Sequence, residues 1–332
     1  MRKNTKRLLL VLDILLVLGL VFGLLYYRIV VEREEESLLS EEDLSQRYVE
    51  SISRDGVSYP LKRSLDTILL IGTDNFIHDS KQNKIEAFYN SNMADFLVLL
   101  VFDHTEKTVT PFQICRDTMC EVPWLSVNGL VGGTEFQQIT FAHTYGSGKE
   151  DSCVNTRNAV KDLLFGVPID GYFSFTMDAI PVMNDLVGGV TLQLMEDLPD
   201  LGPEYVRGAT VTLKGRDALR FVRFRDTSLV DSNAARMSRH RQYLEGFTDS
   251  ARRALGEDPD LAVKAFKSTE AFLCTDLTVE DISSMVEELG EYRILPTVTP
   301  VGEYVMGEEF AEYYIDEDTL WDCVCKTFCR RG

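Results

Sequence analysis

Eight lysine and arginine side chains against three aspartates give residues 214–241 a local charge of +5, inside a chain whose formal net charge is −19. Their spacing suggests a purpose. In RFVRFR (220–225), Val222 and Phe224 alternate with Arg223 and Arg225, so an extended backbone would turn both guanidinium groups to one face. Downstream, Asp231 or Ser232 is placed to cap a helix on which Arg236, Arg239 and His240 share a face at i, i+3 and i+4. Two such elements joined by a short loop would converge on an anion. Planar, permanently charged guanidinium groups suit phosphate oxygens, which they bind bidentately. A solvated face with ordinary salt bridges is the plainer reading of an arginine-rich helix. It accounts less well for paired arginines on a strand-like run, so the segment reads as an anion site.

Other charges emerge from otherwise apolar runs at Asp74, at Asp95 and at Arg116 with Asp117. Burying an unpaired ion is costly, so stability alone explains such placements poorly. Mutual pairing in a structural network is the alternative, and for any one of these residues it stands level with function. Together they describe two carboxylates facing several arginines. Carboxylates offer hard oxygen ligands to Mg²⁺ and arginines neutralise phosphate oxygens, a combination that can cradle a diphosphate.

The elements needed to position these groups can be read in turn. DTILLIGTD (66–74) and ADFLVLLVFD (94–103) are continuous apolar runs of the kind found in buried central strands. TVTPFQICRDT (108–118) follows a short turn as a hairpin partner and delivers Arg116 and Asp117. Helical spacing marks 153–165, stopped by Gly166-Val-Pro168, then 177–186, a start at 214–221, a long helix from Ala234 to about Leu255, 278–289 and 316–328. Strands are expected at 171–176, after Gly188-Gly189, and at 293–301. Strands and helices mixed throughout predict an α/β sandwich, with a central mixed sheet and helices on both faces.

Ahead of this domain, residues 8–31 are almost wholly apolar, with Asp13 and Arg28 the only charges, longer than the roughly 20 residues that span a bilayer. Arg2, Lys3, Lys6 and Arg7 precede the span and glutamates follow it, so the expected layout is a cytoplasmic tail at 1–7, a transmembrane helix at 8–31, an acidic linker at 32–64 and an extracytoplasmic domain at 65–332. A cleaved signal peptide is the rival, but its apolar core would be shorter, and no small-x-small cleavage site follows Tyr26, Tyr27 and Arg28. The seven cysteines are an odd number, and their pairing is not readable from spacing. The run of Cys323, Cys325 and Cys329 hints at metal but lacks a fourth ligand, and His78, His104, His143 and His240 are scattered.

Five stretches, in order, resemble the LytR-CpsA-Psr family of cell-envelope proteins. LLIGTDN resembles its first strand and Asp loop, MADFLVLLVFD its R-x-D-t-hydrophobic strand, and QICRDTM its I-P-R-D-T motif. VPIDGYFSFTMDAIPVMNDLVGGV resembles the central block, and ALRFVRFRDTSLVDSNAARMSRHRQYL the A-L-x-Y-x-R-x-R and R-x-x-R-Q region. The resemblance implies a membrane-anchored enzyme that moves an anionic glycopolymer (teichoic acid, capsule or a related glycan) from a polyprenyl-pyrophosphate carrier to a peptidoglycan sugar hydroxyl. It implies Asp74 and Asp95 as Mg²⁺ ligands, with Asp95 also the candidate base. Arg116, Arg223, Arg225 and Arg236 would bind the pyrophosphate, supported by Arg239, with Asp117 orienting Arg116. Three positions depart from the family pattern. Met93 stands for an Arg, Cys115 for a Pro, and His240 for the Gln of R-x-x-R-Q, with Gln242 two residues on. His240 can still donate to phosphate.

Phosphoryl transfer asks mainly for positioning and charge neutralisation. No G-x-S-x-G elbow or other nucleophilic triad competes with that chemistry. Hydrolysis of the same lipid pyrophosphate, or a non-catalytic regulatory or binding role in the envelope, are the alternatives. Nucleic acid is an improbable partner for so acidic a chain.

Overall fold

The computed structural model describes residues 49–74, 89–126, 129–225, 232–258, 260–307 and 310–330. The expected tail at 1–7, the span at 8–31 and most of the linker lie outside the described residues. Among the described residues no helix is long and apolar enough to cross a membrane.

In chain order, β1 (Ser51–Arg54) and β2 (Val57–Pro60) form a hairpin, followed by β3 (Leu65–Thr73), β4 (Ala94–Asp103), β5 (Thr108–Ile114) and a second hairpin of β6 (Met119–Leu125) and β7 (Val131–Gln138). A 3-10 turn at Ile139–Thr144 leads to α1 (Glu150–Leu163), β8 (Gly171–Thr176), α2 (Ala179–Leu186), β9 (Val190–Gln193) and β10 (Thr210–Leu213). Then come α3 (Arg216–Arg223), α4 (Ser232–Glu257), α5 (Leu261–Thr269), β11 (Leu273–Thr275) and α6 (Val279–Glu291). The chain continues with β12 (Arg293–Ile294), β13 (Gly302–Met306), β14 (Ala311–Ile315) and α7 (Glu317–Phe328).

The organising sheet has six strands in the order β11-β8-β3-β4-β5-β12. Its β3–β8 and β5–β12 pairs are parallel and the rest antiparallel, so the sheet is mixed as expected. Side chains alternate between its faces, and both faces are covered. On one, Ile68, Val98, Leu100, Phe102 and Val109 pack with Met285 and Leu289 of α6, and Phe96 meets His240 of α4 edge-on. On the other, Phe112 lies 6.4 Å from Phe328 of α7, and Cys153 of α1 meets Ser174 of β8. Burial on both faces is why these strands read as unbroken apolar runs.

Three expectations are corrected. First, RFVRFR is not a strand: Arg220 to Arg223 close α3, and only Phe224 and Arg225 are extended. Ala218, Phe221 and Val222 are buried together against Val190, Leu192 and Leu213. That i, i+3, i+4 set satisfies a helix, and over so short a stretch the two periods are hard to tell apart. Second, the strand expected at 293–301 is regular only at Arg293–Ile294, with one further bridge from Val298 to Phe112. Pro296 and Pro300 lack the amide donors a continuous ladder needs.

Third, residues 50–64, assigned to the linker, belong to the folded unit that starts at Glu50. Asp55 and Gly56, at φ 53° and 77°, make the left-handed two-residue turn that suits a hairpin's twist. The hairpin docks on the C-terminal helix. Tyr59 packs edge-on against Trp321 at 5.0 Å, Arg54 pairs with Asp318 at 2.6 Å, and Arg330 N donates to the Pro60 carbonyl at 2.9 Å. Asp316 caps α7 through the Thr319 amide at 2.8 Å, setting the pitch at which Leu320, Trp321, Val324 and Phe328 face inward.

Gly72 sits at the strand end that delivers Asp74. A Cβ there would lie 2.8 Å from Phe96 Cβ and 3.5 Å from the Phe175 ring, inside the β3–β4 pair. Gly72→Ala is therefore expected to cost about 1–3 kcal/mol, read as a lower urea midpoint.

Candidate functional site

Four separate chain segments bring their charges to one end of the sheet. β3 runs out at Thr73, whose antiparallel partner is Ala94; Asp74 follows the strand's end, and Asp95 is the β4 residue skipped by the register shift between Gly72 and Thr73. β5 ends at Ile114, opposite Leu97, and hands over Arg116 and Asp117 at that same end. The end of α3 supplies Arg223 and Arg225, and the first turns of α4 supply Ser232, Asn233 and Arg236.

Arg116 is fully engaged. Its Nη1 pairs with Asp95 Oδ1, its Nε donates to Asp117 Oδ1 at 3.2 Å, and its Nη2 donates to Met93 Sδ at 3.3 Å. Arg236 points both Nε and Nη2 at Asn233 Oδ1, at 3.0 and 2.7 Å, and its Nη2 lies 3.8 Å from Asp95 Oδ1. One carboxylate oxygen thus faces two guanidinium groups. Arg225 is steadied by Nε donating to Ser232 Oγ at 2.8 Å. Arg223 pairs with Asp74 at 3.5 Å, both half-exposed at the rim.

Among the described residues, Arg116, Arg225 and Arg236 are gathered about two largely buried carboxylates, Asp95 and Asp117. Burial, opposed by Asp117 and reinforced by Arg236 and Arg225, pulls Arg116 down to about 10. Burial and then the Arg225 charge lower Arg236 as well. These groups stay charged at neutral pH, so their repulsion is carried by the fold. An anion would relieve it. Asp117 Oδ2 is also buried without a hydrogen-bond partner in the described structure, which makes that carboxylate an expensive group to keep unless its charge is used.

A divalent cation fits this donor set in one particular way. Among the described residues no three His, Cys, Asp or Glu side chains converge as a ready cage. Asp74 is half-exposed at the rim, and Asp95 has Oδ1 committed to arginine with Oδ2 remaining. Mg²⁺ commonly takes one or two carboxylates and completes its shell with water and phosphate oxygens. Asp74 and Asp95 are the carboxylates that would supply such ligands, each already facing an arginine.

Two residues expected to touch the anion hold the scaffold instead. Arg239 donates from Nη1 to Glu196 at 2.5 Å and from Nη2 to the Phe224 carbonyl, with its guanidinium 5.2 Å over the Phe224 ring. His240 donates from Nε2 to the Val222 carbonyl at 3.0 Å. Both carbonyls lie at the C-terminal end of α3, where a helix leaves its acceptors unpaired. Arg239 and His240 therefore cap α3 from the side and fix the stretch that carries Arg223 and Arg225. Gln242, the other candidate for the family's Gln, donates to the Gln193 carbonyl in β9.

Sequence reading missed Asn233, the bidentate acceptor for Arg236, and Glu196, which anchors Arg239 from 43 residues away. A cap signal at Ser232 pointed to the first. Nothing local pointed to the second.

A LytR_cpsA_psr family model matches residues 28–315. A curated relative from Halalkalibacterium halodurans, named polyisoprenyl-teichoic acid--peptidoglycan teichoic acid transferase TagU, is 27% identical over 158 residues. That alignment covers 47% of this chain and 46% of the relative, so the chain spans about half the length of the curated relative it matches. Among solved structures, a Streptococcus agalactiae protein superposes with a TM-score of 0.62 at 18% identity, covering 80% of this chain and 88% of that one. TagV of B. subtilis superposes at 0.59 and 19% identity, covering 80% and 96%. These last two likenesses concern the fold.

Burial, helped by Arg236, holds His240 down at about 3, against an ordinary value near 6.5. The unfolded chain therefore takes up this proton first, and stability present above about pH 6.5 falls as pH drops towards 3. His240→Gln keeps a donor for the Val222 carbonyl and removes the titration. The variant should recover about 2 kcal/mol of the stability lost between pH 7 and pH 5, measured as urea midpoints at the two pH values.

Proposed function

This chain belongs to the LytR-CpsA-Psr family, and from that premise we propose that it is a membrane-anchored glycopolymer transferase of the cell envelope. Its donor would be an anionic glycopolymer on a polyprenyl pyrophosphate, and its acceptor a peptidoglycan sugar hydroxyl. The observation that carries the reading is the gathering of Arg116 and Arg236 about the one Asp95 oxygen, with Arg225 near enough that its charge, after burial, lowers both. Guanidinium groups gathered in this way await a multiply charged anion.

In this reading the donor diphosphate lies between Arg116, Arg225 and Arg236, and Arg223 meets it at the rim. Asp117 and Asn233 aim Arg116 and Arg236, so the donors are oriented before the anion arrives. Asp74 and Asp95 would hold Mg²⁺, which when bound neutralises phosphate oxygens. The sugar hydroxyl attacks the phosphorus that bears the polymer. A new P–O bond forms, the bond to the bridging oxygen breaks, and polyprenyl phosphate leaves. Asp95 is the candidate acceptor for the hydroxyl proton. A single-pass anchor at 8–31, with the domain outside the membrane, keeps the enzyme beside a lipid donor that never leaves the bilayer.

Arg225→Ala should lower transfer from a lipid-pyrophosphate donor by about 100-fold or more, with the unfolding midpoint unchanged. Asp95→Ala should lower both activity and its dependence on added Mg²⁺. Wild-type rates in an Arg223→Ala/Arg225→Ala double variant would sink the diphosphate assignment. Polymer phosphate released to water in place of peptidoglycan attachment would identify a hydrolase.

A further inference from the structure

Away from the arginine site, Cys153 in α1 and Cys274 in β11 are both buried where that helix packs on the edge of the sheet, Cys274 being paired with Ser174 of β8. Each thiol shifts the proton affinity of the other. They are 121 positions apart in sequence. A second rung joins the same two elements: Arg157 pairs with Asp276 at 2.9 Å. Arg157 is one helical turn beyond Cys153, a rise of about 6 Å. Asp276 is two residues beyond Cys274, about 6.6 Å along an extended chain. The rungs match in spacing, so α1 lies along this edge of the sheet in a defined register. Register is what a disulfide demands, since its sulfur–sulfur distance of about 2.05 Å and its dihedral leave little room for error.

The surroundings of the pair distinguish the two thiols. His143 donates from Nδ1 to the Asn92 carbonyl at 2.9 Å, which leaves the Nε2 lone pair facing Cys153 Sγ at 3.7 Å. Burial keeps this imidazole neutral, at about 4. Cys274 is the more accessible sulfur, at 8% against 0% for Cys153, and sits on an edge strand of three residues. The Cys153 and Tyr172 side chains favour its thiolate. Burial and the Cys274 contact hold Cys153 in the thiol form.

We propose that Cys153 and Cys274 are a disulfide-forming pair, closed by exchange with an external disulfide, that staples α1 to the edge strand β11. The Cys274 thiolate attacks one sulfur of the external disulfide, breaking that bond, and the first thiolate leaves. Cys153 then attacks the Cys274 sulfur, expelling the second thiolate, which takes up the proton that Cys153 loses. Two electrons pass to the oxidant, which departs as two thiols once protonated. The bridge closes a loop of about 120 residues, the range in which cross-linking restricts the unfolded chain most. Only the compartment where the oxidant is met rests on the extracytoplasmic placement proposed above.

The test incubates detergent-solubilised full-length protein with glutathione disulfide, alkylates it under denaturing conditions without reductant, and maps the peptides by mass spectrometry. The expected result is one linked pair joining Cys153 to Cys274. The Tm should rise by roughly 5–10 °C over the reduced protein, a rise missing from Cys274→Ser. Both thiols alkylated, linkage of either to another cysteine, or a retained zinc ion with no bridge would overturn the proposal. Closure by added oxidant alone, with free thiols in protein taken directly from cells, supports the pair and counts against the extracytoplasmic reading. Transfer activity does not enter this readout, so failure of the transferase reading would be seen separately.

Discussion

Repulsion among Arg116, Arg225 and Arg236 is the constraint around which the structure is built. Burial lowers Arg116 and Arg236 first, and neighbouring guanidinium charge lowers them further: Arg236 and Arg225 act on Arg116, and Arg225 on Arg236. Only opposed, well-aimed partners make the arrangement tolerable. Asp95 Oδ1 lies between Arg116 and Arg236, Asp117 takes Arg116 from the side, and Asn233 takes Arg236 with both forks. Removing any one of these partners would leave charge buried and unanswered. The same feature that strains the fold would be relieved by a bound anion.

Positioning extends well beyond the residues that face the site. Arg239 and His240 reach from α4 to the carbonyls at the end of α3, so the helix carrying Arg223 is tied to the helix carrying Arg236. Arg241 donates to Gln113 on β5 at 2.7 Å, which ties α4 to the strand leading into Arg116. From the far end of the chain, Tyr313 N donates to the Asp117 carbonyl at 2.9 Å, and Tyr304 OH lies 3.3 Å from Cys115 Sγ. The β13–β14 hairpin thereby braces the Arg116–Asp117 turn. A region without recognisable chemistry of its own proves to support the Arg116–Asp117 turn.

What could be read in advance follows from the range of the forces involved. Continuous apolar runs identified β3 and β4 because their periodicity is local, and β4 was bounded at Ala94 and Asp103 as found. Asp74, Asp95 and Arg116 were legible because charges at the ends of such runs are anomalous. Arg223 and Arg225 were placed at the site by a faulty route: their segment closes a helix, yet its end still reaches the cluster. Arg239 and His240 were misassigned since an arginine on the right helix face says nothing about whether Glu196 or a helix carbonyl will claim it. The hairpins β1–β2 and β13–β14, with strands of four and five residues, were missed because they are short and find their stability in distant partners, as Tyr59 does in Trp321. The β6–β7 hairpin was missed because β7 is mostly exposed and carries Gly132 and Gly133.

The departures from the family pattern are best understood together. Met93, Cys115 and His240 stand where the pattern has Arg, Pro and Gln, and all three lie against the arginine cluster or its supports. Met93 offers Arg116 a weak, uncharged acceptor where another arginine would have added to the repulsion. Cys115 accepts from Asn233 at 3.4 Å, and burial pushes its thiol up to about 11, so it too stays neutral. His240 is held neutral by burial, helped by the arginines beside it, and serves a carbonyl as an amide would. Of the three, only Met93 removes a charge, and Cys115 and His240 add none. The carboxylates left facing the arginines are Asp95 and Asp117 at the centre and Asp74 at the rim.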